Sequence, residues 1–369
     1  MSSNPSESVF STVASKIASL GFAPLAIRFN IFNILAELDG AATGRDIRDA
    51  YLQGLDKDSI EVPPAQLVED TLVAMTALSW VDLAGDSLYR VNAITNYLAK
   101  TPSAIHGILH FTTEVLLGSA FLMRKLESTG FEYPFAPLQT PFQYAYHLME
   151  KEELAKLHTY AIMAAEKRMS SFHTFMQGMF GIGIPRVSER LLSLGYNLSV
   201  VVEEAGRQGL PTTMVDIGGG RGNLLLDIKA SIPSLDDKDL ILQELEPEPT
   251  DIRGLTVMKW DYAEKDSSQP IQRALIYHLS GILHNLPDSD AEQLLQKICD
   301  AMASYSRILI HERLKDSVPL GNATMIVLYG GRERNAAEWK ALAEKAGLRV
   351  TYLRWPNGRY QGVVEMRKL

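Results

Sequence analysis

The stretch Met214–Asn223 reads Met-Val-Asp-Ile-Gly-Gly-Gly-Arg-Gly-Asn and runs into the apolar Leu224-Leu225-Leu226. Strand, glycine turn and helix start is how a doubly wound α/β sheet presents a nucleotide-like ligand. The glycines let the backbone turn sharply and remove Cβ atoms that would block a ligand. Dehydrogenases, kinases and plain tight turns also use such a turn. Three features sharpen the reading. The spacing Asp216-x-Gly218-Gly219-Gly220-x-Gly222 departs from the Gly-x-Gly-x-x-Gly register of NAD enzymes. Glu244 ends the next expected strand, where a carboxylate can take both hydroxyls of a ribose, and Leu245 beside it joins the same cofactor-binding set. Asp261 and Tyr262 end the third strand, setting an acid and an aromatic ring beside an adenine.

The elements that must hold these residues follow a β-α-β pattern from residue 212. Strands are expected at Thr213–Ile217, Asp239–Glu244, Thr256–Trp260, Ala274–Leu279 and Ser306–Glu312, with a helix over Asn223–Ser231. A helix over Ser289–Ala303 opens on Ser289-x-x-Glu292, a capping box. Its apolar stripe includes Cys299, the one cysteine, which therefore reads as a core residue. A helix over Ala336–Ala346 takes Asn335 as N-cap and Glu338 at the third position, and stops at Gly347. Leu348–Trp355, the turn Pro356-Asn357-Gly358 and Tyr360–Met366 spell an antiparallel hairpin. A mostly parallel Rossmann-like sheet that ends in such a hairpin is the plan of methyltransferase domains and differs from that of the usual dinucleotide dehydrogenase.

Upstream, helices are expected at Ser11–Phe22, Leu25–Leu38, Ala42–Leu52 and Pro64–Leu78, after a frayed start at 1–10. Leu25–Leu38 is apolar all round, as a helix in a core or at a subunit interface is. Trp80–Val91 reads as strand, Gly85-Asp86 turn, strand. Three helices and a hairpin make a winged helix. The helix that would enter DNA carries Glu69 and Asp70 and no Lys or Arg, so dimerisation is the expected role. Residues 101–180 are expected to be helical and are rich in Met, Phe, His and Tyr. Within His158–Met176, core packing explains most of them. Met163, Phe172 and Met176 are candidates for an adaptable wall around an aromatic or polyketide-like substrate. Expected domains are therefore 1–105, winged-helix-like and dimerising; 106–210, linker and substrate pocket; and 211–369, cofactor-binding and catalytic.

The 369 residues exceed what one core usually holds. A net charge of -8 argues against nucleic acid as a partner. A single cysteine fits a reducing compartment. The N-terminus lacks signal-peptide regions and no apolar run is long enough to span a bilayer, so a cytoplasmic protein without a membrane partner is expected.

Taken together, these motifs resemble those of the plant and fungal caffeic-acid-type O-methyltransferases, which bind S-adenosylmethionine. The resemblance covers most of the chain and is strongest from Val215 to Leu348. Val215-Asp-Ile-Gly-Gly-Gly-Arg-Gly is similar to the family's cofactor loop, Ile282-Leu-His-Asn-Leu-Pro-Asp-Ser-Asp to its base-bearing segment, and Gly330-Gly-Arg-Glu-Arg to its second acidic motif. The resemblance implies His284 as general base, Glu312 and Glu333 as flanking acids, no metal, and a homodimer. An imidazole has suitable basicity near neutral pH, and adjacent carboxylates stabilise and orient the imidazolium. The chain departs from the family at several places. Asn285 stands for an Asp and Leu286 for a Trp. Ser280 stands where a basic residue helps hold the cofactor, and Glu244 where Asp is usual. Asn322 stands for the Asp before the second Glu, and Gly181–Gly209 has no clear counterpart. Two reactions suit the pattern: O-methylation of a hydroxylated secondary metabolite, and, as in some fungal members, a cyclase reaction (dehydration or pericyclic ring closure) in which the sulfonium acts as a fixed charge. A non-catalytic winged-helix regulator is the third reading.

Overall fold

In the computed structural model, which describes residues 16–38, 40–55, 62–180, 186–245, 251–315, 319–356 and 361–369, the chain gathers into two compact units. One comprises Met1–Ala120 with Tyr160–Ile182, the other Phe121–Thr159 with Gly183–Leu369.

The first unit contains the helices Ala23–Arg28, Ile31–Glu37, Gly44–Gln53 and Ala65–Ala77, followed by a hairpin of β1 (Asp82–Gly85) and β2 (Leu88–Arg90). The single helix expected over Leu25–Leu38 is broken: Asn30 adopts φ 53°, and the helical axis turns by 65° there. The break lets Ile31, Phe32 and Leu35 enter the same core as Ala23, Ala26 and Leu72. Thr43 caps the Gly44–Gln53 helix reciprocally with Asp46. Glu69 accepts hydrogen bonds from Tyr89 Oη at 2.6 Å and Gly44 N at 3.2 Å, so this acid ties the third helix to the hairpin. The stretch His158–Met176 forms two helices, Thr159–Ala165 and Met169–Phe180, with Lys167 at φ 59° between them.

One sequence expectation is corrected. The helical run Pro102–Ser128 is 27 residues long with a mean hydropathy of 1.3, enough by length and composition to cross a bilayer. It carries buried charge, however. His110 Nδ1 lies 3.1 Å from Glu114, and Arg168 Nε donates to Glu114 at 3.0 Å. About 22% of the run's most apolar stretch is buried in the structure.

The second unit is built on a seven-stranded sheet in the order β5-β4-β3-β6-β7-β9-β8. The strands are β3 (Met214–Ile217), β4 (Leu240–Glu244), β5 (Thr256–Lys259), β6 (Ile276–Ser280), β7 (Arg307–His311), β8 (Leu348–Arg354) and β9 (Val363–Lys368). β3 to β7 run parallel, while β9 is antiparallel to both β7 and β8. The terminal hairpin therefore forms as expected, although Asn357-Gly358 lies outside the described residues. Strand order reverses at β3, so a crevice opens between the carboxyl ends of β3 and β6, where α/β sheets bind ligands.

Both faces of β3 are buried, which explains its unbroken apolar reading. Val215 and Ile217 pack with Leu294, Ile298, Trp339 and Leu342 on one face; Met214 packs with Leu225, Ile228 and Val202 on the other. Cys299 is buried in the first of these clusters. The helix Ala336–Lys345 has the expected Asn335/Glu338 capping box. The helix Asp288–Ala301 does not have the box expected from Ser289 and Glu292. It starts one residue earlier, at Asp288, with Pro287 as its N-cap, and carries Asp288 and Asp290 in its first turn. Proline at the cap fixes the entry angle, and the two acids complement the positive end of the helix.

Candidate active site

At the end of β3 the chain turns through Gly218, Gly220 and Gly222, all with positive φ, before the helix Asn223–Ser231 begins. A Cβ on Gly220 would meet nothing within 4 Å, so the loop offers bare backbone to the crevice. The Gly220 amide donates to Glu244, whose carboxylate thus leans over the loop from the end of β4. Burial raises the pKa of Glu244, and the nearby Asp216 charge adds to the effect, while the Gly220 amide opposes it. Leu245, just beyond, is exposed. Asp261 follows β5, where its Oδ1 accepts from Ala263 N at 2.9 Å; Tyr262 packs edge-on against Trp260. Trp260 N donates to Glu244 O at 2.9 Å, so the ends of β4 and β5 are stitched together. Ser280 ends β6 and is half-buried.

Asp216 stands at the carboxyl end of β3, as expected, beneath the loop. It is buried, and its Oδ1 accepts from His278 Nδ1 at 2.7 Å. His278 Nε2 in turn lies 2.9 Å from His311 Nδ1. Asp216 Oδ2 has no hydrogen-bond partner among the described residues. Parallel register pairs Asp216 with His278 and sets both beneath the loop. Burial lowers the pKa of His311 far below the usual range, and the neighbouring His278 and Arg190 push it the same way, so His311 is neutral.

His284 lies in the short 3-10 turn Leu283–Asn285 after β6. Its Nδ1 donates to Glu333 Oε1 at 3.0 Å and lies 3.3 Å from Glu312 Oε2. The imidazole side chain is 19% exposed, whereas Glu312 is fully buried and Glu333 nearly so. Glu312 Oε1 also accepts from the amides of Leu283 at 3.0 Å and His284 at 3.3 Å, fixing the turn to the end of β7. Burial opposes a charged His284, but the two carboxylates outweigh it and the pKa is raised. Burial raises the pKa of Glu312, and the Glu333 charge adds to this. With Nδ1 held by acids, Nε2 has no partner among the described residues, and it lies 3.7 Å from where a Cβ on Gly281 would stand. A free imidazole nitrogen backed by two carboxylates can take a proton and stabilise the resulting charge.

Comparison with known proteins agrees with this geometry. Residues 197–349 match the O-methyltransferase domain model. The chain is 43% identical over 364 residues to the O-methyltransferase bfoE of Aspergillus brasiliensis, covering 98% of this chain and 95% of that one. The chain belongs to the O-methyltransferase family. Two solved structures share its fold. LepI in complex with SAM superposes with a TM-score of 0.77 at 21% identity, covering 100% of this chain and 90% of that one. The mitomycin 7-O-methyltransferase MmcR gives 0.71 at 22% identity, covering 99% and 98%. The protein is an S-adenosylmethionine-dependent O-methyltransferase acting on a small molecule. The cyclase alternative is not favoured, since relatives that match across nearly the whole chain are O-methyltransferases.

The residues of this methyltransferase suit its cofactor. The open face of Gly220 leaves room for a ligand, Glu244 stands beside it, and the orphaned Asp216 Oδ2 lies under the loop. Of the residues expected at the site, Asp216, Gly218, Gly220, Glu244, Asp261, Tyr262 and Ser280 sit at the carboxyl ends of β3 to β6, while His284, Glu312 and Glu333 meet as one cluster. Met163, Phe172 and Met176 belong to the other unit. Met163 is fully buried there, and Phe172 lies within an aromatic group with His110, Tyr160 and Phe175.

Several supporting residues escaped the sequence reading. Arg334 is buried and donates to Leu283 O at 2.7 Å, Leu286 O at 3.1 Å and Asp288 Oδ1 at 2.8 Å, bracketing the His284 turn. Gly331 passes so close that a Cβ would overlap the His284 carbonyl and lie 2.7 Å from Leu286 N. Asn322 Oδ1 accepts from Glu333 N at 3.0 Å, so it orients Glu333 without adding charge. Asn285 Nδ2 donates to Gly281 O at 3.2 Å and braces the turn. The Gly-Gly-Arg-Glu-Arg motif contained the signal for Arg334 and Gly331, because it brings a close-approach glycine and a second cation with the catalytic candidate.

Proposed function

We propose that the enzyme methylates a phenolic hydroxyl of an aromatic, polyketide-like secondary metabolite, with His284 as the base. The observation that carries the assignment is the pinning of His284 Nδ1 between Glu333 and Glu312, which leaves Nε2 directed at the space over Gly281. S-Adenosylmethionine supplies an activated methyl group when bound. Gly218 and Gly220 would hold it by backbone, Glu244 would take its ribose hydroxyls, Asp261 and Tyr262 would flank its adenine, and Leu245, Ser280 and Asp216 would complete the cofactor-binding set. The protein has then to hold the acceptor oxygen in line and take its proton. His284 Nε2 takes that proton, and Glu312 and Glu333 stabilise the imidazolium.

The N-terminal 1–105 segment is assigned to homodimerisation and the enzyme to the cytoplasm. The helix-and-hairpin segment leaves Val73, Leu83, Ile94 and Tyr97 exposed, apolar area that a second copy would cover. Incubation with methyl-labelled cofactor and a panel of hydroxylated naphthalenes, anthraquinones and simple phenols tests the assignment. Labelled O-methyl product together with S-adenosylhomocysteine is expected. Cofactor binding without label transfer to any acceptor would contradict it.

A further inference from the structure

Arg190, on the helix Val187–Ser193, is a cation with no anion in direct contact among the described residues; the Asp227 charge reaches it only through space. Its Nε is buried and has no hydrogen-bond partner, and its Nη1 makes one long contact, 3.5 Å, to the neutral amide of Gln361. Among the described residues no carboxylate lies within ion-pair distance of it; nearby Asp227 is 3.7 Å from Arg186 instead. A partly buried guanidinium left in this state is costly unless a ligand supplies the missing charge.

The place of the missing anion follows from the neighbours. The position of a Cβ on Gly281 is 3.9 Å from Gln361 Nε2 and 3.7 Å from His284 Nε2, so both groups look onto one space. Arg190 approaches that space through Gln361, and its charge is felt by His311 at the end of β7. Glu244, the candidate ribose acid, stands on the other side of β3. A cofactor with its ribose at Glu244 and its reacting carbon near His284 has its amino-acid end between the glycine loop and the ends of β6 and β7. There β6 contributes Ser280, with no charge, and His311 is neutral.

We propose that Arg190 binds the carboxylate of the cofactor's amino-acid end, supplying from a helix the cation that the strand ends lack. The inference rests on the S-adenosylmethionine reading of the site. Binding calorimetry tests it with two ligands, S-adenosylhomocysteine and methylthioadenosine, which lacks the amino-acid end. For Arg190→Gln, affinity for S-adenosylhomocysteine falls roughly 10- to 100-fold, the effect of one charge-assisted contact, while methylthioadenosine binds as it does to the wild type. Arg190→Lys recovers part of the loss. Equal weakening of both ligands, or no weakening of S-adenosylhomocysteine, overturns the proposal. If the weakening appears only in the KM for a carboxylated acceptor, the anion belongs to the acceptor and the proposal is likewise overturned. Failure of the wild-type enzyme to bind S-adenosylhomocysteine sinks the cofactor reading itself, a distinct result.

Discussion

His284 is pulled in two directions. Burial disfavours its charged form, yet Glu312 and Glu333 together raise its pKa above the ordinary histidine value. A base is active when unprotonated, so kcat/KM should rise with pH through that raised pKa and be depressed below it. Glu333→Gln removes one of the two stabilising charges while keeping the shape. The acid limb of the pH–rate profile should then move to lower pH, and the plateau rate should fall because the imidazolium is less stabilised. An acid limb that stays in place, or moves up, would show that Glu333 does not act on His284. The family motifs made His284, Glu312 and Glu333 legible in the sequence. The partners of Asp216 were not legible, because its bond to His278 depends on cross-strand register, which has no local sequence signal.

At the scale of elements, the site is a 3-10 turn clamped from below by β7 and from the side by the Gly330–Arg334 segment. Gly331 is the tightest point of that clamp. Gly331→Ala would drive a methyl group into the backbone of His284 to Leu286. Overpacking of this kind costs about 1–3 kcal/mol, and the turn is the part that must shift. Urea unfolding should show that loss, and methyl transfer should fall while S-adenosylhomocysteine still binds. Unchanged stability and rate would mean the turn is not held by this contact. Elements with strong local signals were readable: the parallel strands, the Asn335 cap and the closing hairpin. The break at Asn30 was not, since a left-handed Asn there is imposed by packing of two short helices into one core. The displaced start of the Asp288–Ala301 helix has a similar cause. Arg334 takes the Asp288 carboxylate from a distant part of the chain.

At the scale of the molecule, the net charge of -8 and the exposed apolar residues of the first unit bear on assembly. A dimer formed through Leu83 and Tyr97 should sediment at twice the monomer mass, and Leu83→Asp combined with Tyr97→Asp should yield monomers that keep their fold. A wild-type protein that sediments as a monomer at micromolar concentration would overturn the dimer. Specificity for the acceptor was the least readable property, because it depends on the shape of the pocket that receives the acceptor, and no motif encodes shape.

The most direct test of the account is single-turnover transfer of labelled methyl by His284→Gln, with S-adenosylhomocysteine affinity measured on the same preparation. The account predicts a loss of transfer of about 100-fold or more with cofactor affinity unchanged, as expected for removal of a general base. Transfer within a few-fold of the wild type would contradict it.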